Sequence, residues 1–276
     1  MTSWDFPSTD PVDISIDGWG SGSIVVAGEP TSEVIVEVVP SHREADVREL
    51  LGQVQVTFED GQLYIHGPRA STFRRKKGLD LTIRAPEGSS CAANTVSADL
   101  SCVGELSAVS LQTASGDLTA ASVGDELTVR TASGDVLLDR VAGTVSIHTA
   151  SGDVQVARVD GDVRINSASG DVKIDSCGGP VAVHTASGDV ELGAVGAGNV
   201  ELISASGDLE IGVLPGFGVY MDLASNSGDI RSELDASEGS ETDDESSPAL
   251  RISCRTLSGD IRITKARGKA VAEPAS

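Results

Sequence analysis

Between residues 92 and 234 the chain alternates between apolar and polar positions in short bursts. Val136, Leu138, Val145 and Ile147 take turns with Leu137, Ser146 and His148. That period of two predicts strands, and the Gly and Asp residues between bursts predict the turns that separate them. The bursts share a form, roughly x-Gly-x-Val-x-(Leu/Ile/Val), as in SGDVLLDRV at 133–141 and AGTVSIHTA at 142–150. Few segments in this range carry helical periodicity.

Two bursts make one unit. Aligned on the serine of Ser-Gly-Asp, Ser115, Ser133, Ser151, Ser169 and Ser187 follow one another in steps of 18 residues. Ser97 continues the series backward in a degenerate copy, Ser97-Ala98-Asp99. Forward, Ser206, Ser227 and Ser258 are displaced by 19, 21 and 31 residues. A strict central period with looser ends is the mark of a repeat architecture whose terminal units are atypical. Two short strands per unit could form an antiparallel meander or a parallel solenoid. Only stacked coils put each repeated residue on its own copy, so the pattern predicts an all-β fold, a single-stranded parallel β-solenoid of 18-residue coils. Its interior would hold columns such as Val136/Val154/Val172/Val190 and Leu138/Val156/Ile174/Leu192. The periodicity leaves open whether a coil has two sides or three.

The ends depart from this pattern. Residues 1–90 predict a β-rich N-terminal cap, with strands in VDISID, GSIVVAG and SEVIVEVV and a hairpin around Glu59-Asp60-Gly61. Within it SHREADVRELLG, 41–52, predicts one short helix opened by a Ser41/Glu44 capping box. LDLTIRAP then leads into solenoid repeats at 91–234. Residues 235–248 read as an acidic disordered insertion, 249–266 as the last coil and 267–276 as a disordered tail.

Composition sharpens the picture. Aromatic residues are 3% of the 276, which suits a narrow aliphatic interior. The formal charge of −22 disfavours nucleic acid and anionic membrane surfaces. Cys91, Cys102, Cys177 and Cys254 show no close pair, so reduced thiols are expected and zinc ligation is not. No stretch is long and apolar enough to span a membrane, and MTSWDFPSTDPVD lacks the layout of a secretory signal, so the expected location is cytoplasmic.

The tandem TASGDV and SGDVxL…GxVxI units, with LTIRAPEGS before them and VLPGFGVYMDLASNSGDI after, resemble a bacterial β-strand-repeat family known as putative adhesins, a domain of unknown function. The resemblance extends over about residues 12 to 266. It implies a β-solenoid without an established catalytic activity, and its name implies a surface location.

Three kinds of chemistry can be asked of the repeat. Stacking would set Asp117, Asp135, Asp153, Asp171 and Asp189 in a column about 4.8 Å apart. Such a column either takes hydrogen bonds from turn N–H groups and hydroxyls or binds a file of Ca²⁺ ions. The calcium nonapeptide needs a double glycine and a second Asp column, which this chain lacks, so turn bonding is the expectation and no cofactor is assigned. His148 and His184 would lie two coils, about 10 Å, apart, too far to share a metal ion directly. The serines form many equivalent hydroxyls without a unique base, which does not make a nucleophile. Gly116, Gly134, Gly152, Gly170 and Gly188 are read as structural turn residues. Thr-Ala-Ser is expected at a corner, and Arg74-Arg75-Lys76-Lys77 as a solvated basic loop or a dock for an acidic partner. The predicted protein is a non-enzymatic binding or scaffold module, a monomer in preference to a filament, with a protein or cell-envelope partner. The alternatives are a calcium-stabilised repeat protein and a self-assembling scaffold.

Overall fold

The computed structural model describes residues 2–41, 50–68, 78–216, 218–234 and 250–266. Among them the strands, numbered in chain order, belong to one sheet wound on itself. The N-terminal part supplies β1 (Thr2–Pro7), β2 (Asp13–Glu29), β3 (Glu33–Pro40), β4 (Gln55–Glu59), β5 (Gln62–His66) and β6 (Leu79–Pro86). Two long strands follow, β7 (Ser90–Gln112) and β8 (Leu118–Thr131). Then come short pairs: β9 (Val136–Val141) with β10 (Thr144–Thr149), β11 (Val154–Val159) with β12 (Val163–Ser169), and β13 (Val172–Cys177) with β14 (Val181–Ser187). The last pairs are β15 (Val190–Val195) with β16 (Gly198–Ser206), β17 (Leu209–Val213) with β18 (Val219–Ser227), β19 (Ile230–Ser232) with β20 (Leu250–Ser258), and finally β21 (Ile261–Lys265).

Each central coil contributes one strand to each of two parallel ladders. One face runs β8–β9–β11–β13–β15–β17, and the other β8–β10–β12–β14–β16. Register follows the period read from sequence: Val136 pairs with Val154, Val154 with Val172, and Val172 with Val190. The ladders meet back to back, so alternate residues of both point into one continuous core of aliphatic columns. Each such side chain, when buried, contributes about 1.5–3 kcal/mol.

Two features of the stack differ from the linear reading. The parallel ladder starts inside the N-terminal region: β2 pairs in parallel with β5 and β6 on one side and with β7 on the other, so residues 13–29 already form a coil. Outside it β3 lies antiparallel on β6, β1 on β3 and β4 on β5. Trp19, buried at this end, donates its indole N–H to the Leu79 carbonyl at 3.0 Å. The expected hairpin is present; Asp60 and Gly61 form its tip, with φ of 50° and 77°. The second difference is at the far end. The coil that comes last in sequence is not last in the stack. β20 lies between β16 and β18, and β21 between β17 and β19.

Leu50 and Leu51 are helical, while the rest of the expected helix and its Ser41/Glu44 box involve positions outside the described residues. The Arg74–Lys77 stretch, the acidic segment and the C-terminal tail lie outside them too.

All four cysteines are free and buried at core positions. Burial pushes the Cys91 and Cys254 thiols up to about 12 and Cys177 to about 11, from an ordinary value of 9.0. Cys102 is raised well above 9.0 by burial first and the neighbouring Cys91 second.

Two outcomes follow. Val154→Asp places an unpaired carboxylate in the core and is expected to cost about 4 kcal/mol or more in urea unfolding, against about 0.5 for Gln155→Asp on the adjacent outer position. The thiols are protonated in the native state at pH values where the unfolded chain ionises. Their stabilisation is therefore whole below pH 9 and lost as pH rises from 9 toward 12. The loss is about 1.4 kcal/mol per pH unit for each thiol while only the unfolded form is ionised. Thermal melting across that range checks the slope, and replacement of Cys254 by Ala should flatten it.

Candidate functional site

The repeated Thr-Ala-Ser-Gly-Asp phrase turns the chain from one ladder to the other, as its composition implies. Its threonine lies at or within two residues of a strand end and points inward: Thr113, Thr131, Thr149 and Thr185 are buried. At the first two copies the hydroxyl accepts the N–H of the glycine three residues on, Gly116 at 3.0 Å and Gly134 at 2.9 Å. The serine is exposed at the corner. The glycine carries the tightest approach. A Cβ on Gly152 would lie 2.0 Å from the Gly134 carbonyl oxygen, and one on Gly134 2.0 Å from that of Gly116. Gly116, Gly170 and Gly188 are closed in the same way by the coil before them.

The aspartates take hydrogen bonds from turn N–H groups. Each backbone N–H of the column is donated to Oδ1 of the aspartate one coil away. Asp117 bonds to Asp99 at 3.0 Å, and Asp135 to Asp117, Asp153 to Asp135, Asp171 to Asp153 and Asp189 to Asp171 at 2.9 Å. The series continues at 2.8 Å through Asp208 on Asp189, Asp260 on Asp208 and Asp229 on Asp260. The main chain closes each link in the other direction, since the Val136 N–H donates to the Asp153 carbonyl at 2.9 Å. The carboxylate is thus a cap for a turn amide that no ladder partner reaches. Even the degenerate Asp99 takes part, and at the N-terminal end Asp80 Oδ1 accepts the N–H of Ser23 in the same manner at 3.0 Å. The column nevertheless keeps like charges one coil apart on an exposed edge, a repulsion that salt screens. Among the described residues no group of three or more His, Cys, Asp or Glu side chains is placed to hold a metal ion.

The histidines face outward. His148 pairs with Arg130 on one side and Asn166 on the other, and His184 stands beyond Asn166. His148 lines a shallow trough of about 530 Å³ with Gln112, Arg130 and Asn166, and His184 lies outside that lining. On the opposite face lies a second trough of about 430 Å³ that alternation alone did not single out. It runs along the stack, across the strands, between two outward ladders. One is Ser101, Thr119, Leu137, Gln155 and Lys173; the other is Val103, Ala121, Asp139, Ala157 and Asp175. Its floor is low where Ala121 and Ala157 stand, and Val103 and Leu137 are half exposed, 51% and 50%. Lys173 closes one rail by bonding Glu191 of the next coil at 2.9 Å, a contact that raises the Lys173 pKa. The signal for this trough was present in the sequence as apolar residues on the polar phase of the alternation.

The chain belongs to the Toastrack family, DUF4097, whose model matches residues 13–264. It matches none of the curated proteins. Among solved structures it is similar to a putative adhesin from Bacteroides fragilis, with 12% identity and a TM-score of 0.52 over 95% of this chain and 96% of that one. It also aligns with a putative lipid binding protein from Parabacteroides distasonis, at 14% identity and a TM-score of 0.48 over 96% of each chain. At 12% identity the likeness to the Bacteroides fragilis structure is one of fold.

The ladder makes a sharp distinction between acceptor and charge. Asp153→Ala leaves the Asp171 N–H without its acceptor and should cost about 1–3 kcal/mol. Asp153→Asn retains Oδ1, removes one like charge and should be neutral or stabilising at low salt, with the difference fading as salt is added. Thermal melts at two salt concentrations, with and without EDTA, measure both. A cation file would instead make Asp153→Asn costly and EDTA destabilising.

Proposed function

We propose that this member of the Toastrack family is a non-enzymatic binding module that lays an extended partner along its solenoid axis. The observation that carries this reading is the axial trough between the Leu137 and Val103 ladders. Neighbouring coils present outward side chains at intervals of about 4.8 Å, so a partner running across the strands meets five successive coils on one rigid surface. Half-exposed Leu137 and Val103 supply apolar area, and Thr119, Gln155 and Asp139 supply hydrogen-bonding groups around it. A few polar groups around an apolar floor is the usual make-up of a recognition groove. A repeated corner, by contrast, offers equivalent hydroxyls at every coil and no single activated one. The partner is a protein or another component of the cell envelope, in keeping with the adhesin-like fold relative.

A photo-crosslinking side chain at Gln155 tests the trough in the native cell. A discrete product is expected there, absent when the same group stands at Thr144 on the opposite face, and lost when Leu137→Lys is added. Equal products from both positions would remove the trough as the binding surface.

A further inference from the structure

The trough across β9, β11 and β13 is not uniform along its length. One rail reads Thr119, Leu137, Gln155 and the other Ala121, Asp139, Ala157, Asp175, each residue from a successive coil. On the first rail a polar side chain stands on either side of Leu137. On the second, small and acidic residues alternate, so a carboxylate recurs at every second coil with an alanine dip between. Both rails therefore follow a two-coil period, about 9.6 Å along the axis.

A partner lying along the axis has to turn side chains toward the trough at that interval. An extended β-strand does so every two residues, about 6.6 Å, which falls between one coil and two. An α-helix does so every turn, about 5.4 Å, and drifts by about 1.2 Å over each two-coil period. A polyproline II helix returns every three residues, about 9.3 Å, and drifts by only about 0.3 Å. From Ser101 to Lys173 the trough covers about 19 Å, the length of about six such residues. Polyproline II makes no internal hydrogen bonds, so its backbone is free to bond Thr119 and Gln155, and its preformed shape loses little entropy on docking.

Charge narrows the partner further. Asp139 and Asp175 are exposed, and among the described residues no hydrogen bond or ion pair engages either carboxylate. Of the basic side chains beside them, Lys173 is held by Glu191 at 2.9 Å and Arg140 by Asp160 at 3.0 Å. We infer that the trough takes a polyproline II segment with a basic residue at every third position. Its cationic side chains meet Asp139 and Asp175, and the intervening residues lie over Ala121 and Ala157 and against Leu137. The trough as binding surface is the premise; the alternation adds the partner's backbone form and charge.

Fluorescence anisotropy of a labelled peptide of three Pro-Pro-Lys repeats, titrated with the full chain at low salt, tests the match. It should bind at least about tenfold tighter than an isomer with its three lysines adjacent. The same margin is expected over three Gly-Gly-Lys repeats, which carry equal charge without the helix. Asp139→Asn with Asp175→Asn should weaken binding about tenfold, as loss of two exposed charge pairs allows. Glu126→Gln with Asp162→Asn, an equal change of charge on the opposite face, should leave it unchanged. Thermal melts establish that each variant is folded. Equal affinity for either control peptide, no binding of the Pro-Pro-Lys peptide, or binding indifferent to Asp139 and Asp175 overturns the inference. The Gln155 crosslink separates the two levels. If it forms in the cell and excess Pro-Pro-Lys peptide does not compete it, the trough stands and this partner falls; if it does not form, both fall.

Discussion

The structure rests on the distance between one coil and the next. Two peptide strands hydrogen-bonded in parallel lie about 4.8 Å apart, and at the corners the main chains come closer than a side chain allows. The Gly134 carbonyl stands where a Cβ of Gly152 would be, and the same holds along the column. Everything else in the repeat serves that contact. The inward threonine ties down the glycine N–H at Thr113 and Thr131, and the aspartate that follows accepts the one turn amide for which the ladder has no carbonyl. Close stacking also explains the interior. Val, Leu and Ile fill the central columns, and among the described residues the aromatics are in the N-terminal strands, Trp4, Phe6, Trp19, Phe58 and Tyr64, and on β18, Tyr220.

The Asp column gives a repeated charge pattern a structural role in the corner. Acidic residues at fixed spacing suggest a cation, but here each carboxylate is already committed through Oδ1 to the next coil's amide. Hydrogen bonds from an amide to a charged acceptor are among the stronger ones, which offsets the repulsion between neighbouring copies. The proposed binding surface is a trough on one of the faces, where the same rigid stacking holds outward side chains at regular intervals. A surface of this kind varies by substitution on its outward positions without disturbing the core. Leu137 and Val103 occupy such positions.

Much of this was legible in the sequence. The 18-residue step, the inward identity of Val154 and Ile174, the hairpin at Asp60-Gly61 and the corner at Thr-Ala-Ser all follow from alternation and turn chemistry. The turn-amide role of the aspartates was one of two readings that composition allowed, and the geometry shows Oδ1 in that role. The trough was harder to see, since an apolar residue on an outward phase is unremarkable until neighbouring small residues, Ala121 and Ala157, lower the floor beside it.

The sequence by itself determined the repeat unit, its strands and which side chains face inward, because these depend on contacts within one coil and on identical contacts to any neighbour. Only the tertiary structure decided the order of the coils. The coil at 13–29 stacks on one that begins at residue 90, and the coil at 250–265 wedges between two that precede it in the chain. The reason is the uniformity of the repeat. The central coils offer the same glycine, aspartate and aliphatic columns to their neighbours, so local pattern allows many stacking orders. Which one is lowest in free energy is settled by the packing of whole surfaces at the two ends.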